Sequence, residues 1–238
     1  MINKFTIYGE RCSGTNFLEK AIAENFDIKV TWEYEWKHFF GFNKCLNSQD
    51  TLFIGVIRDP FDWLFSFHKN PHHIPQQNKE LHKFLFSEFY SIHDDGSLVK
   101  TDLNYKTNKK YKNIFELRKM KNDFLLNIMP NKVKNFILIR YEDLLEKYEQ
   151  ILDLIKNKFN LTKKNINYIK INDYKGIKNQ KFIKKINKFP NNIMQQIYNN
   201  LDIIQEKKLQ YCSQSILQIP VKNIEIIRHK HIKKSIIK

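Results

Sequence analysis

The sequence predicts an α/β domain of three layers, a central and mostly parallel sheet flanked by helices. Three stretches predict it, each an apolar run that stops at a turn and re-enters as a helical pattern: Phe5 to Tyr8 before Gly9, Leu52 to Ile57 before Arg58-Asp59-Pro60, and Phe136 to Arg140 before Tyr141-Glu142-Asp143-Leu144. Strands that alternate with helices build a sheet covered on both faces, and such sheets bind ligands beyond the carboxyl ends of their strands.

The first strand, Lys4 to Tyr8, runs into Gly9-Glu10-Arg11-Cys12-Ser13-Gly14-Thr15-Asn16, which reads as a phosphate loop. A strand that turns sharply into a helix leaves backbone N–H groups and the positive end of the helix dipole pointing at one spot. Segments of this kind with two glycines also occur without a ligand. Gly9 and Gly14 keep the spacing of G-x-x-x-x-G-K-[ST], yet Thr15 stands at the lysine position and Asn16 at the magnesium-binding hydroxyl, which disfavours an ATP or GTP hydrolase. A phosphatase loop built on Cys12 needs an arginine six positions on, where this chain has Leu18.

Val30 to Trp36 alternates as a second strand does, and Lys37 and His38 end it. Leu52 to Ile57 is a buried-strand pattern, and Pro60 fits the first turn of the helix after it. Arg58 at the strand end and Ser66 two turns into that helix form a phosphate-binding pair if they face one crevice; otherwise Arg58 merely pairs with Asp59 or a helix end. Lys79 to Ile92 carries Leu81, Phe84, Leu85 and Phe89 on one helical face and stops at His93-Asp94-Asp95-Gly96. The polar segment Ser97 to Lys112 reads either as a mobile lid over an acceptor or as a plain surface excursion.

Asn113-Ile114-Phe115-Glu116 has capping-box spacing and opens a helix to Met129, which Pro130 and Asn131 terminate. The strand Lys134 to Arg140 then feeds an amphipathic helix with Leu145, Tyr148, Leu152, Ile155 and Phe159 in its stripe, Tyr141 to Asp143 forming a capping and packing corner. Asn165 to Phe189 mixes short β-like runs with a lysine cluster. Pro190-Asn191 starts a last helix with Ile193, Ile197, Leu201 and Ile204 buried, ending near Leu209. One domain over residues 1–220 and a basic extension over 221–238 are expected.

Taken together, the loop and the Arg58 segment resemble the paired cofactor motifs of the P-loop sulfotransferases, which use 3′-phosphoadenosine 5′-phosphosulfate (PAPS). Cys12-Ser13-Gly14-Thr15-Asn16 matches the family's [KR]-S-G-T loop, which holds the 5′-phosphosulfate. Arg58 with Ser66 eight positions later matches the pair that holds the 3′-phosphate, and the Tyr141-Glu142-Asp143-Leu144 segment is similar to a third family feature. The resemblance implies a sulfuryl transfer from PAPS to a hydroxyl or amine, with 3′-phosphoadenosine 5′-phosphate (PAP) released and no metal required. It implies cofactor contacts from Arg11, Cys12, Ser13, Gly14, Thr15, Asn16, Arg58 and Ser66, Arg11 supplying the charge that the family's lysine or arginine brings where this chain has Cys12. The Lys-Thr-His element of the family's cytosolic branch is matched loosely by Lys37-His38, which makes His38 the base and Lys37 its helper. His68, His72 and His73 are the alternatives to His38. Lys175, Gly176 and Lys178 lie where such proteins often close the 3′-phosphate pocket.

Composition bounds these readings. A chain of 238 residues, 42% hydrophobic and 14% aromatic, can bury a full core. Three cysteines without zinc or CxxC spacing fit a reducing compartment, adjacent histidines without a carboxylate or cysteine set do not make a metal site, and no apolar run reaches the ~20 residues of a membrane span. With no leader before the first strand, a cytoplasmic location is expected. The net charge of +16 favours anionic ligands, and abundant lysine, asparagine and isoleucine throughout make it weak evidence for nucleic acid. The acceptor stays open among glycan, small molecule, protein and nucleic acid. The rival readings are a P-loop kinase-like phosphoryl transferase and a non-catalytic basic binding protein on the same scaffold.

Overall fold

The computed structural model describes residues 1–39, 48–174, 177–181 and 189–211, with 173–174 and 177–181 as backbone alone. Cys45, Cys212, the side chains of the 175–188 lysine cluster and the 221–238 extension lie outside the described residues.

In chain order, β1 (Lys4–Tyr8) leads through the glycine loop to α1 (Thr15–Asn25), then to the short β2 (Lys29–Val30). β3 (Thr51–Ile57) and α2 (Pro60–Lys69) follow, with α3 (Leu81–Phe86) and α4 (Ile114–Asp123) after them. A π-helical turn over Phe124–Ile128 joins α4 to α5 (Met129–Lys132). Then come β4 (Phe136–Arg140), α6 (Tyr141–Glu146), α7 (Tyr148–Phe159), the pair β5 (Asp173–Tyr174) and β6 (Ile177–Lys181), and α8 (Asn191–Asn200) with α9 (Ile203–Lys208).

The main sheet has the order β2-β1-β3-β4 and is parallel throughout, with Phe5 opposite Leu52 and Ile54 opposite Ile137. Every residue of β3 is buried, as expected of a parallel strand covered on both faces. On one face Phe5, Ile7, Leu52, Ile54, Ile137 and Ile139 meet Leu18 and Ile22 of α1 and Leu152 and Ile155 of α7. On the other, Tyr8, Phe53, Ile57 and Phe136 pack against Phe124, Leu125 and Met129. A separate aromatic cluster around Trp63, Phe67, Phe84, Phe89 and Phe115 ties α2, α3 and α4 together.

Four expectations are corrected. Val30 to Trp36 is not a strand: pairing stops after Val30, and Glu35 at φ 80 turns the chain. The Lys79 to Ile92 helix is only α3, because Phe89 and Ile92 form antiparallel bridges to Tyr111 and Leu98 and need extended backbone. Ser97 to Lys112 is anchored, with Val99, Asp102, Asn104 and Tyr111 all buried. The last helix is two, since Asp202 caps α9 afresh and shifts its register, leaving Ile204 72% exposed. By contrast, Asn113 caps α4 as its spacing predicts, accepting from the Phe115 and Glu116 amides.

Candidate anion site at the glycine loop

The loop between β1 and α1 depends on two glycines for different reasons. At Gly9 there is no room, for an added Cβ would stand 2.6 Å from Val56 Cγ1 and 2.8 Å from the Val56 carbonyl oxygen. Gly14 has φ 90, and a Cβ there would lie 2.2 Å from the Tyr141 ring. Cys12 is also left-handed, at φ 64. Two such residues, two positions apart, curl the backbone so that α1 has a glycine at its N-cap and no side-chain cap. Among the described residues, the amides of Gly14, Thr15, Asn16 and Phe17 meet no acceptor, and the first helical bond is that of Leu18 to Gly14. Ser13 is buried and its amide bonds the Glu10 carbonyl, Thr15 is buried, and Asn16 is exposed.

The segment after β3 is fastened to this loop. Arg58 Nη1 donates to the Cys12 carbonyl at 3.0 Å, Cys12 Sγ donates to the Ser66 carbonyl at 3.6 Å, and Trp63 Nε1 donates to the Arg11 carbonyl at 2.9 Å. The Arg58 side chain and the Ser66 backbone therefore both meet Cys12. Arg58 stacks over Tyr141 at 5.2 Å, and its Nε is buried with no hydrogen-bond partner among the described residues. Its pairing with Asp59, the plain alternative, is absent from the described ion pairs: Asp59 instead caps α2 through the Phe61 and Asp62 amides. Burial raises the Asp59 carboxyl to about 6, with the nearby Asp62 and Glu142 adding to it.

Lys37 reaches the same helix start. Its Nζ donates to Asn16 Oδ1 at 2.6 Å and to Glu19 at 2.8 Å. His38 sits beside it with Nδ1 2.8 Å from the Gly9 carbonyl oxygen. Because a carbonyl only accepts, Nδ1 carries the proton of the neutral ring and the lone pair falls on Nε2. Burial holds the ring neutral, pulling its pKa down to about 4 against the attraction of Glu10. A base is thus available on a ring that titrates far below its ordinary range.

Arg11 goes elsewhere. Its side chain is 3% exposed and points behind the loop, with Nε on Glu10 at 2.7 Å, Nη1 on the His72 carbonyl and Nη2 on Asp102 at 3.2 Å. Lys121 closes the group, donating to Glu10, to Asp102 and, at 2.7 Å, to the His38 carbonyl. Burial alone would raise the Glu10 carboxyl, but Lys121 and Arg11 outweigh it and bring it to about 2. Of the alternative histidines, His68 of α2 meets the Lys79 carbonyl and His73 the Ile92 carbonyl, so both fasten neighbouring segments.

Sequence reading missed Glu10, Asp102 and Lys121, which meet through Lys121 across 111 and 19 positions. It also missed Arg118, which holds Glu206 through two bonds and donates to the Arg58 carbonyl at 3.0 Å. The only available signal was a Glu-Arg pair inside the glycine loop. Tyr141 and Glu142 form the expected packing corner, Tyr141 under Gly14 and Glu142 accepting from the Asp59 amide and the Tyr211 hydroxyl.

Chemically, four unfilled amides, a helix dipole, an arginine with a spare buried donor and a lysine on one helix start suit a polyanion. Among the described residues no helix is long and apolar enough to cross a membrane. No model of a known protein family, no curated protein and no solved structure matches the chain.

Proposed function

We propose that the protein is a sulfotransferase, passing a sulfuryl group from PAPS to a hydroxyl or amine of an acceptor and releasing PAP. One observation carries this reading: the two anion-binding segments, one after β1 and one after β3, are joined at Cys12 through the Arg58 bond to its carbonyl. Two phosphate sites side by side at strand ends suit a nucleotide that is phosphorylated at two positions.

PAPS supplies an activated sulfuryl group on a phosphate leaving group. The Gly14 to Phe17 amides and the α1 dipole hold the 5′ side, with Ser13, Thr15 and Asn16 lining it. Arg58 and Ser66 hold the 3′-phosphate. Lys37, on Asn16, brings the positive charge that Cys12 lacks, while Arg11 keeps the loop in shape from behind. His38 takes the acceptor proton on Nε2 as the new S–O or S–N bond forms and the bond to the leaving phosphate breaks. No step needs a metal ion.

Thermal unfolding with PAP, ADP and magnesium-ATP tests this. PAP at 100 times its dissociation constant should add about 2.7 kcal/mol, and Arg58→Ala should abolish that gain. A larger response to magnesium-ATP than to PAP would favour phosphoryl transfer. No response to any nucleotide would leave only a binding protein on this scaffold.

A further inference from the structure

Two of the three tryptophans stand at the surface beside the candidate catalytic pair. Trp32 is 38% exposed and Trp36 43%, whereas Trp63 is 1% exposed in the aromatic cluster. Their rings lie 5.1 Å apart at 37°, and the exposed Val30 belongs to the same short stretch. Paired large aromatics left in water mark a contact surface, since among the described residues the third Trp is buried and no Phe is exposed.

The surface is continuous with the site. Lys37 Nζ, which bonds Asn16 at the start of α1, lies 5.4 Å from the Trp32 ring centre and 5.1 Å from that of Trp36. The His38 ring meets Trp36 edge-on at 6.0 Å. Whatever lies on the indoles is within one side chain of the proposed base.

Resting on the sulfotransferase reading, we infer that the acceptor is a glycan, its pyranose rings laid on the Trp32–Trp36 platform. At 5.1 Å the indoles are too close to admit a flat ring between them, so the ligand lies across their outer faces. Both indoles keep more than a third of their surface in water, and Lys37 Nζ over the two rings is the charged group nearest to them. A pyranose offers a C–H face to an indole, leaves its equatorial hydroxyls in water and presents one hydroxyl to His38. A phenol or a steroid calls for an enclosed apolar slot.

The test is titration of the full chain, without nucleotide, with cellotetraose and chitotetraose, reading the indole N–H signals by NMR. The Trp32 and Trp36 signals should move saturably while that of Trp63 stays still. Trp32→Ala and Trp36→Ala should each weaken binding about tenfold or more while leaving the PAP-induced thermal shift intact. The inference is overturned if neither sugar moves the two signals at millimolar concentration. It is equally overturned if 2-naphthol or a tyrosine peptide moves them and the sugars do not, or if both variants bind the sugars as the parent does. Because the sugar titration omits nucleotide and the PAP shift omits sugar, failure of one is separable from failure of the other.

Discussion

The back and the front of the glycine loop are built on opposite plans. Behind it, Glu10, Arg11, Asp102 and Lys121 are all under a tenth exposed, and their two positive and two negative charges satisfy one another. In front, the amides of Gly14 to Phe17 and Arg58 Nε are donors without acceptors among the described residues. A buried charge group so fully paired holds its geometry and has no capacity left for a ligand. The front has the reverse property, and the first makes the second useful: donors held in place by a rigid backing need no reorganisation when an anion arrives.

Breaking the back should cost the most. Lys121→Met leaves Glu10 and Asp102 short of a counter-charge in a dry environment, and a loss of about 3 to 5 kcal/mol in urea unfolding is expected. Retention of full stability would mean the group is not the loop's backing. Gly14→Ala strikes the join between the two sides, forcing a Cβ into Tyr141 at a left-handed position. It should lose about 2 to 4 kcal/mol and the PAP response with it.

Acid acts on two groups next to the loop, His38 and Asp59, with opposite signs. His38, depressed to about 4, is protonated in the unfolded chain before it is in the folded one, so stability falls as pH drops from 6.5 towards 4, by at most about 3 kcal/mol. Asp59, raised to about 6, takes its proton first in the folded chain and gains stability over the fall from 6 to 3.8. Comparing pH 7 with pH 5, His38→Asn should be less acid-sensitive than the parent and Asp59→Asn more so; identical slopes would contradict both assignments. The smallest effect on stability belongs to the front. Arg58→Ala removes one hydrogen bond worth about 1 kcal/mol yet should erase the PAP response.

The same division explains what could be read from the sequence. Much that is local was legible: β1, β3 and β4 as apolar runs, the Gly9 and Gly14 turn, and the Asn113 cap. The alternation of Trp32, Tyr34 and Trp36 misled because aromatic residues at every second position also suit a turn, with Tyr34 tucked inward and both tryptophans outward. The back was illegible because its members sit on three distant segments. Asp102 lies in a polar stretch that looks like surface, and Lys121 on a helix whose lysines look solvated. Arg11 was misplaced for the same reason, since nothing within the loop shows that two carboxylates wait behind it.

The most direct test of the central claim follows backbone amides by NMR as PAP is added in magnesium-free buffer. If the uncapped start of α1 is the anion site, the Gly14, Thr15 and Asn16 signals shift saturably, and that of Gly96, in a remote turn, does not. Unmoved loop amides at saturating PAP, or movement with ATP and none with PAP, would contradict the account.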